Sequence, residues 1–164
     1  MPVTVTVEDG TGVADANSYA SVAQADNYFA SRPRSSSWTP LTDDQKGQYL
    51  IHATRLLDAS VIWSGEKVDD DQALQWPRHL DASLESEFPP NIPVALLELA
   101  YALIGKDLTK EPAIAGYERV KVGPIEVEAD PGSRPASIPR FVRDLIAPYG
   151  TARANALNAT LTRC

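Results

Sequence analysis

The 164 residues carry 15 Lys and Arg against 22 Asp and Glu, a net charge of −7, and that length suits one domain with a real core better than two. With no basic run to offset this balance, tight wrapping of nucleic acid is disfavoured, because phosphate affinity comes from clustered positive charge. The single cysteine, Cys164, excludes an intrachain disulfide and a thiolate zinc cluster.

The opening MPVTVTVEDG has neither the basic region nor the apolar run of a signal peptide, and no segment reaches the ~20 apolar residues of a membrane helix, so a soluble, cytoplasmic start and no membrane partner are expected. Residues 3 to 7 alternate Val and Thr and read as a short strand, ended by a turn at Asp9-Gly10 and Gly12 and able to add as an arm to another sheet. A first helix starts at Ser18 or Ser21, with Gln24 at the capping-box spacing from Ser21. It carries Val22, Ala25, Tyr28 and Phe29 on one side and stops before Arg32-Pro33.

After the polar loop SRPRSSSWTP, whose one apolar anchor is Trp38, a second helix opens at Thr42 with Gln45 at the capping-box position. It runs to about Asp58 with Tyr49, Leu50, Ala53, Leu56 and Leu57 as its buried stripe. Residues 59 to 80, with Trp63, Gly65, Asp69-Asp70-Asp71 and Trp76-Pro77-Arg78, form a structured loop packed by tryptophans, with a helical turn around Gln72 to Leu74. Pro93 fits the first turn of a third helix, where its missing N–H matters least, and VALLELAYALIG is apolar nearly all round until Gly105, so this helix belongs in the centre of the core.

The segment YERVKVGPIEVE, residues 117 to 128, alternates apolar and charged residues about Gly123-Pro124 and reads as a β-hairpin. A last helix from about Pro139 to Ala147, capped by Ser137, presents Phe141, Val142, Leu145 and Ile146. The remaining tail places Leu157 and Leu161 at an i, i+4 spacing and is a marginal helix alone, to be ordered by a partner chain. The expected fold is mainly α, a small helical bundle with a short β-hairpin and extended N- and C-terminal arms.

No catalytic pattern emerges. His52 and His79 lack HExxH spacing and any cysteine companion, so they read as surface or packing residues. Asp69-Asp70-Asp71 lacks the alternation and closing Glu of a calcium loop and reads as a solvated turn. Glu85 and Glu87 lie in a polar loop, whereas Glu98 interrupts the apolar third helix and is placed at an edge facing solvent or a neighbouring subunit. There is no GxSxG, P-loop or GxGxxG, and Ser35-Ser36-Ser37 have no evident base; no enzyme activity, cofactor or metal is expected. Trp38, Trp63 and Trp76, together with Tyr19, are read as structural or interface anchors; the alternative, stacking on unpaired bases, would recruit Arg32, Arg34 and Arg78.

The order DANSYASVAQADNYF, a helix ending LLD, W-S-G, QALQWPR, an IP before an ELAYAL helix, and VKVGPIEVE resembles the small head-tail connector (adaptor, or head-completion) proteins of tailed bacteriophages. Similar sequences also carry the label DnaT-like single-stranded-DNA-binding protein. The resemblance spans roughly residues 6 to 150 and is most specific at Asn17-Ser18-Tyr19, Gln75-Trp76-Pro77-Arg78 and Val122-Gly123-Pro124. It implies a virion protein of the neck, assembled in the host cytoplasm. Such a protein forms a ring of twelve subunits under the portal protein, extends the channel for double-stranded DNA without sequence-specific binding, and offers a platform to a tail or neck protein.

On that reading residues 1–12 are an arm, 13–149 the connector domain and 150–164 a tail. Phe141, Leu145, Tyr149, Leu157 and Leu161 would dock on the portal or an adjacent subunit, and Lys121, Glu126 and Glu128 would face the lumen or the tail-side rim. Deleting residues 150 to 164 would then abolish portal binding and leave the monomer folded. The alternative function is a single-stranded-DNA-binding accessory protein, which the acidic balance fits poorly.

Overall fold

A computed structural model describes residues 2–80, 88–106, 119–122, 125–128 and 138–153. Four helices run in chain order: α1 (Val22–Ser31), α2 (Asp43–Ser60), α3 (Asn91–Leu103) and α4 (Arg140–Ile146). Six short strands, β1 (Val61–Trp63), β2 (Glu66–Lys67), β3 (Arg78–His79), β4 (Arg119–Val122), β5 (Ile125–Glu128) and β6 (Gly150–Ala152), pair antiparallel as β1–β6, β2–β3 and β4–β5. The expectation of a mainly helical bundle with one hairpin is therefore corrected: the described residues form a small mixed α/β fold.

Both capping boxes form. Ser21 Oγ accepts from Gln24 N at 3.1 Å while Gln24 Oε1 accepts from Ser21 N at 2.7 Å, and Thr42 and Gln45 repeat the exchange at the start of α2. Helix α3 begins two residues before Pro93, at Asn91, and stops at Leu103; Gly105 follows at φ +77°, a left-handed conformation that suits glycine. It packs against both α2 and α4, with Ile92, Ala95, Leu96, Leu99 and Ala100 fully buried. Helix α4 is shorter than expected, Arg140–Ile146, and has no side-chain cap; Ser137 lies outside the described residues.

The Val–Thr segment is not a strand of a sheet. A lone parallel bridge joins Val7 to Ser18, Asn17 ties the segment through Thr4 O and Thr6 N, and Val3 and Val5 lie over Gly47 of α2. The turn that follows is wound about one buried side chain: Glu8 accepts from the backbone N–H groups of Gly10, Gly12 and Val13 at 2.8–2.9 Å. Such a buried carboxylate is tolerated because those amides satisfy it.

Residues 61–80 hold strands where a loop is expected, and the chain bends at Ala73 and Leu74 with no helical turn over Gln72 to Leu74. Helix α2 passes directly into β1, and β1 pairs with residues almost ninety positions later, Val61 with Ala152 and Trp63 with Gly150. The hairpin forms within the expected segment, pairing Arg119 with Glu128 and Lys121 with Glu126.

Candidate nucleic-acid interface

Base stacking needs an exposed ring, and none of the three tryptophans supplies one. Trp38 is buried under α1 and donates its indole N–H to Asp26 Oδ1 at 2.7 Å. Trp63 and Trp76 meet edge to face at 5.6 Å, and Trp76 meets Tyr149 in the same way at 5.8 Å. Trp76 is fully enclosed and Trp63 nearly so; among the described residues neither indole N–H finds an acceptor.

The segment Gln75-Trp76-Pro77-Arg78 is an internal brace. Arg78 is buried and spends its guanidinium on backbone, donating to Ser64 O at 2.7 Å, to Gly65 O, and to Gln75 O at 3.1 Å. Tyr19 donates its hydroxyl to Asp58 at 2.7 Å, and Gln75 N donates to both Asp58 (3.2 Å) and Tyr19 Oη (3.1 Å). One polar knot thus joins the N-terminal loop, the end of α2 and the tryptophan segment. Burial pushes the Asp58 carboxyl up to about 6, against the hydrogen bonds of Tyr19 and Gln75 and the charges of Lys67 and Arg78.

Glu98 faces neither solvent nor an open edge, and its placement there is corrected. Its carboxylate is nearly buried and takes a two-pronged contact from Arg32, Nε to Oε1 at 2.6 Å and Nη2 to Oε2 at 2.8 Å, with Tyr28 donating to Oε1 at 2.6 Å. Burial pushes this carboxyl up, but the hydrogen bonds of Arg32 and Tyr28 and the Arg32 charge outweigh it and hold Glu98 below the usual glutamate range. Tyr28 is pushed up to about 12 by burial and by its contact with Glu98. The Arg32 guanidinium also lies over the Tyr101 ring, 4.5 Å from its centre.

His52 is exposed on α2 and His79 half-buried on β3. Asp69 Oδ1 accepts from Asp71 N at 2.9 Å, so this aspartate shapes its own turn. Among the described residues no group of three or more His, Cys, Asp or Glu is placed to hold a metal ion, and no helix is long and apolar enough to cross a membrane. Glu85 and Glu87 lie outside the described residues.

The exposed apolar side chains lie elsewhere. Phe141 on α4 is 56% exposed and Ile62 on β1 is 60% exposed. Arg140, beside Phe141, is exposed and only loosely paired with Asp144 at 3.8 Å. Arg143, one residue past Val142, has a buried Nε with no acceptor among the described residues. Helix α4 touches β6, whose Thr151 is the register partner of Ile62, and Arg153 follows β6 as an exposed residue anchored by its N–H to Ser60 O at 2.8 Å. Leu145 and Tyr149 are half-buried against the core, Tyr149 on Trp76, while Leu157 and Leu161 lie outside the described residues. Lys121, Glu126 and Glu128 sit on the hairpin strands, and their side chains lie outside the described structure.

The chain total conceals how charge is distributed along the sequence. Residues 131–164 hold five arginines, Arg134, Arg140, Arg143, Arg153 and Arg163, against the single acid Asp144, a net +4, leaving −11 for residues 1–130. Averaging over the whole chain hides this segregation; counting charge segment by segment exposes it.

Residues 3–164 match a protein family described as "Putative DnaT-like ssDNA binding protein". No curated protein matches the chain, and no solved structure does. The family match overturns the head-tail connector expectation, since the family is described by single-strand binding and not by a place in a virion; the ring, the portal and the tail partner have no support beside it. The poor fit of the overall acidity to single-strand binding is weakened by the arginine-rich final segment, whose charge is opposite to that of the rest. With nearly its whole length matched, the chain belongs to the DnaT-like single-stranded-DNA-binding protein family.

Proposed function

We propose that this protein is an accessory protein that binds single-stranded DNA through the face of α4 and the start of the arginine-bearing segment after it. The observation that carries this reading is Phe141, a large ring 56% exposed on α4 next to the exposed Arg140, within a stretch of the chain, residues 131–164, whose charge is net positive. An exposed ring with an exposed arginine next to it in sequence suits what an unpaired strand offers, a base face and a phosphate a few ångströms apart. Duplex DNA offers no free base face to such a ring, so the single strand is the better partner. The tryptophans take no direct part, being enclosed, and neither does Arg78, whose donors are spent on carbonyls. The role is binding rather than catalysis.

Fluorescence anisotropy with a labelled thymine oligonucleotide of about 30 nucleotides, at physiological salt, tests this. Phe141→Ala should weaken binding by about tenfold, a stacking contact being worth about 1–3 kcal/mol. Its thermal unfolding should stay close to wild type, because the ring is mostly in solvent already. A duplex of the same length should bind more weakly than the single strand. Absence of oligonucleotide binding by the wild-type protein, or equal affinity of Phe141→Ala, overturns the assignment.

A further inference from the structure

We infer that the loop between α1 and α2 presents Arg34 as a second, prefolded contact for the phosphodiester backbone of the strand, an inference that rests on the DNA-binding role proposed above. Arg34 is the one non-glycine residue among those described with a positive φ, at 60°. A side-chain-bearing residue held there costs about 1 kcal/mol or more and persists only where its surroundings impose it.

The surroundings do impose it. Tyr101 donates its hydroxyl to Arg34 O, and Arg32 Nη1 donates to Pro33 O at 3.3 Å. Ser35 Oγ donates to Phe29 O at 2.7 Å, and Trp38 N donates to Ser35 O at 3.0 Å. Beneath the loop, Phe29 packs on both Trp38 (4.6 Å) and Tyr101 (5.4 Å). The Arg34 carbonyl is thus tied to α3 and its neighbour Ser35 to α1, while the Arg34 residue itself is exposed.

Two arginines of this loop have opposite fates. Arg32 is consumed by Glu98 and Tyr101, and in being consumed it cancels the only carboxylate that α3 brings to this end. Arg34 pairs with no carboxylate among the described residues. Beside it stand the exposed residues Ser36, Ser37 and Thr39, whose hydroxyls can donate to phosphate oxygens. A guanidinium on a backbone already fixed loses little freedom on binding and presents two parallel donors to a phosphate, the geometry in which arginine exceeds lysine. Strain kept at an exposed arginine, where a glycine would relieve it, has no benefit to folding; a ligand of opposite charge supplies one.

The test uses the full chain and the same thymine oligonucleotide. Arg34→Gly removes the guanidinium and relieves the backbone, so its thermal midpoint should equal or exceed that of wild type. Its oligonucleotide affinity should fall about fivefold, and the slope of log affinity against log salt should shrink by about 0.7, the loss of one phosphate contact. Arg34→Lys should restore the salt slope and part of the affinity. Wild-type binding with an unchanged Arg34→Gly overturns the Arg34 contact and leaves the α4 face standing, whereas a wild-type protein that binds no oligonucleotide overturns both. A loss in Arg34→Gly that Arg34→Lys does not repair, with the salt slope unchanged, also overturns it.

Discussion

Asp58 and Glu98 are two buried carboxylates with opposite dependence on pH, and the difference lies in what faces them. Glu98 meets a guanidinium in a two-pronged contact, so its ionised form is favoured and its stabilising contribution is present above the unfolded glutamate range and lost as pH falls through its lowered folded value. Asp58 meets a phenol and a backbone amide, which do not offset the loss of water, and its folded value rises to about 6. The native state therefore binds more protons than the unfolded chain between 3.8 and about 6. The Asp58 contribution is full below that window and is lost as pH rises through it. Replacing Asp58 by Asn removes this titration. Relative to wild type, Asp58→Asn should gain about 2 kcal/mol between pH 4.5 and 7.5 in urea unfolding, and parallel pH profiles for the two proteins would rule the Asp58 titration out. Glu98 stands out in the sequence as an acid inside an apolar helix, but its partner does not, because Arg32 lies 66 positions away and no local pattern joins them.

Elements differ in how openly the sequence declares them. Helices α1 and α2 are written in their capping boxes and apolar spacing, and the hairpin in its alternation about Gly123-Pro124, all of them signals confined to a dozen neighbouring residues. Strands of two or three residues carry no such period, so β1, β2, β3 and β6 were illegible; their pairing is decided by the tryptophans and Arg78 that pack around them. Gly65 belongs to that group. It sits at φ +71°, and a Cβ there would fall on the His79 carbonyl oxygen across the β2–β3 pair. Gly65→Ala should cost about 2–4 kcal/mol and lower the thermal midpoint by many degrees, since the obstructing atom is backbone and cannot step aside. A midpoint within a degree or two of wild type would show that the β2–β3 corner bears none of the fold. The α4 face is half legible: the apolar spacing marks Phe141 and Leu145, while the local excess of arginine is hidden by the net charge of the chain.

For the molecule as a whole, the division of charge into −11 and +4 does more than the net −7 suggests. Along the chain the acidic excess lies in residues 1–130 and the positive excess in residues 131–164, so a phosphate chain drawn to the proposed contacts would meet repulsion from most of the remaining surface. The boundary between body and tail also moves. Gly150 is buried and Gly150–Ala152 pairs with β1, so removing residues 150 to 164 takes away a strand, contrary to the expectation that the remainder stays folded. A chain ending at Arg153 should unfold cooperatively in urea near the wild-type midpoint, while one ending at Tyr149 should lose several kcal/mol by uncovering Val61 and Trp63. Equal midpoints for the two would remove β6 from the fold.

The β1–β6 pairing also sets an order in time. A ribosome makes residues 61–63 long before residues 150–152, and closing so long a loop is slow compared with winding α1 or α2. Until synthesis reaches Ala152, the nascent chain waits with an unpartnered strand edge and two apolar side chains, Val61 and Trp63, in reach of other nascent chains. Its hour of greatest exposure to aggregation is thus during its own manufacture, and slower translation lengthens it.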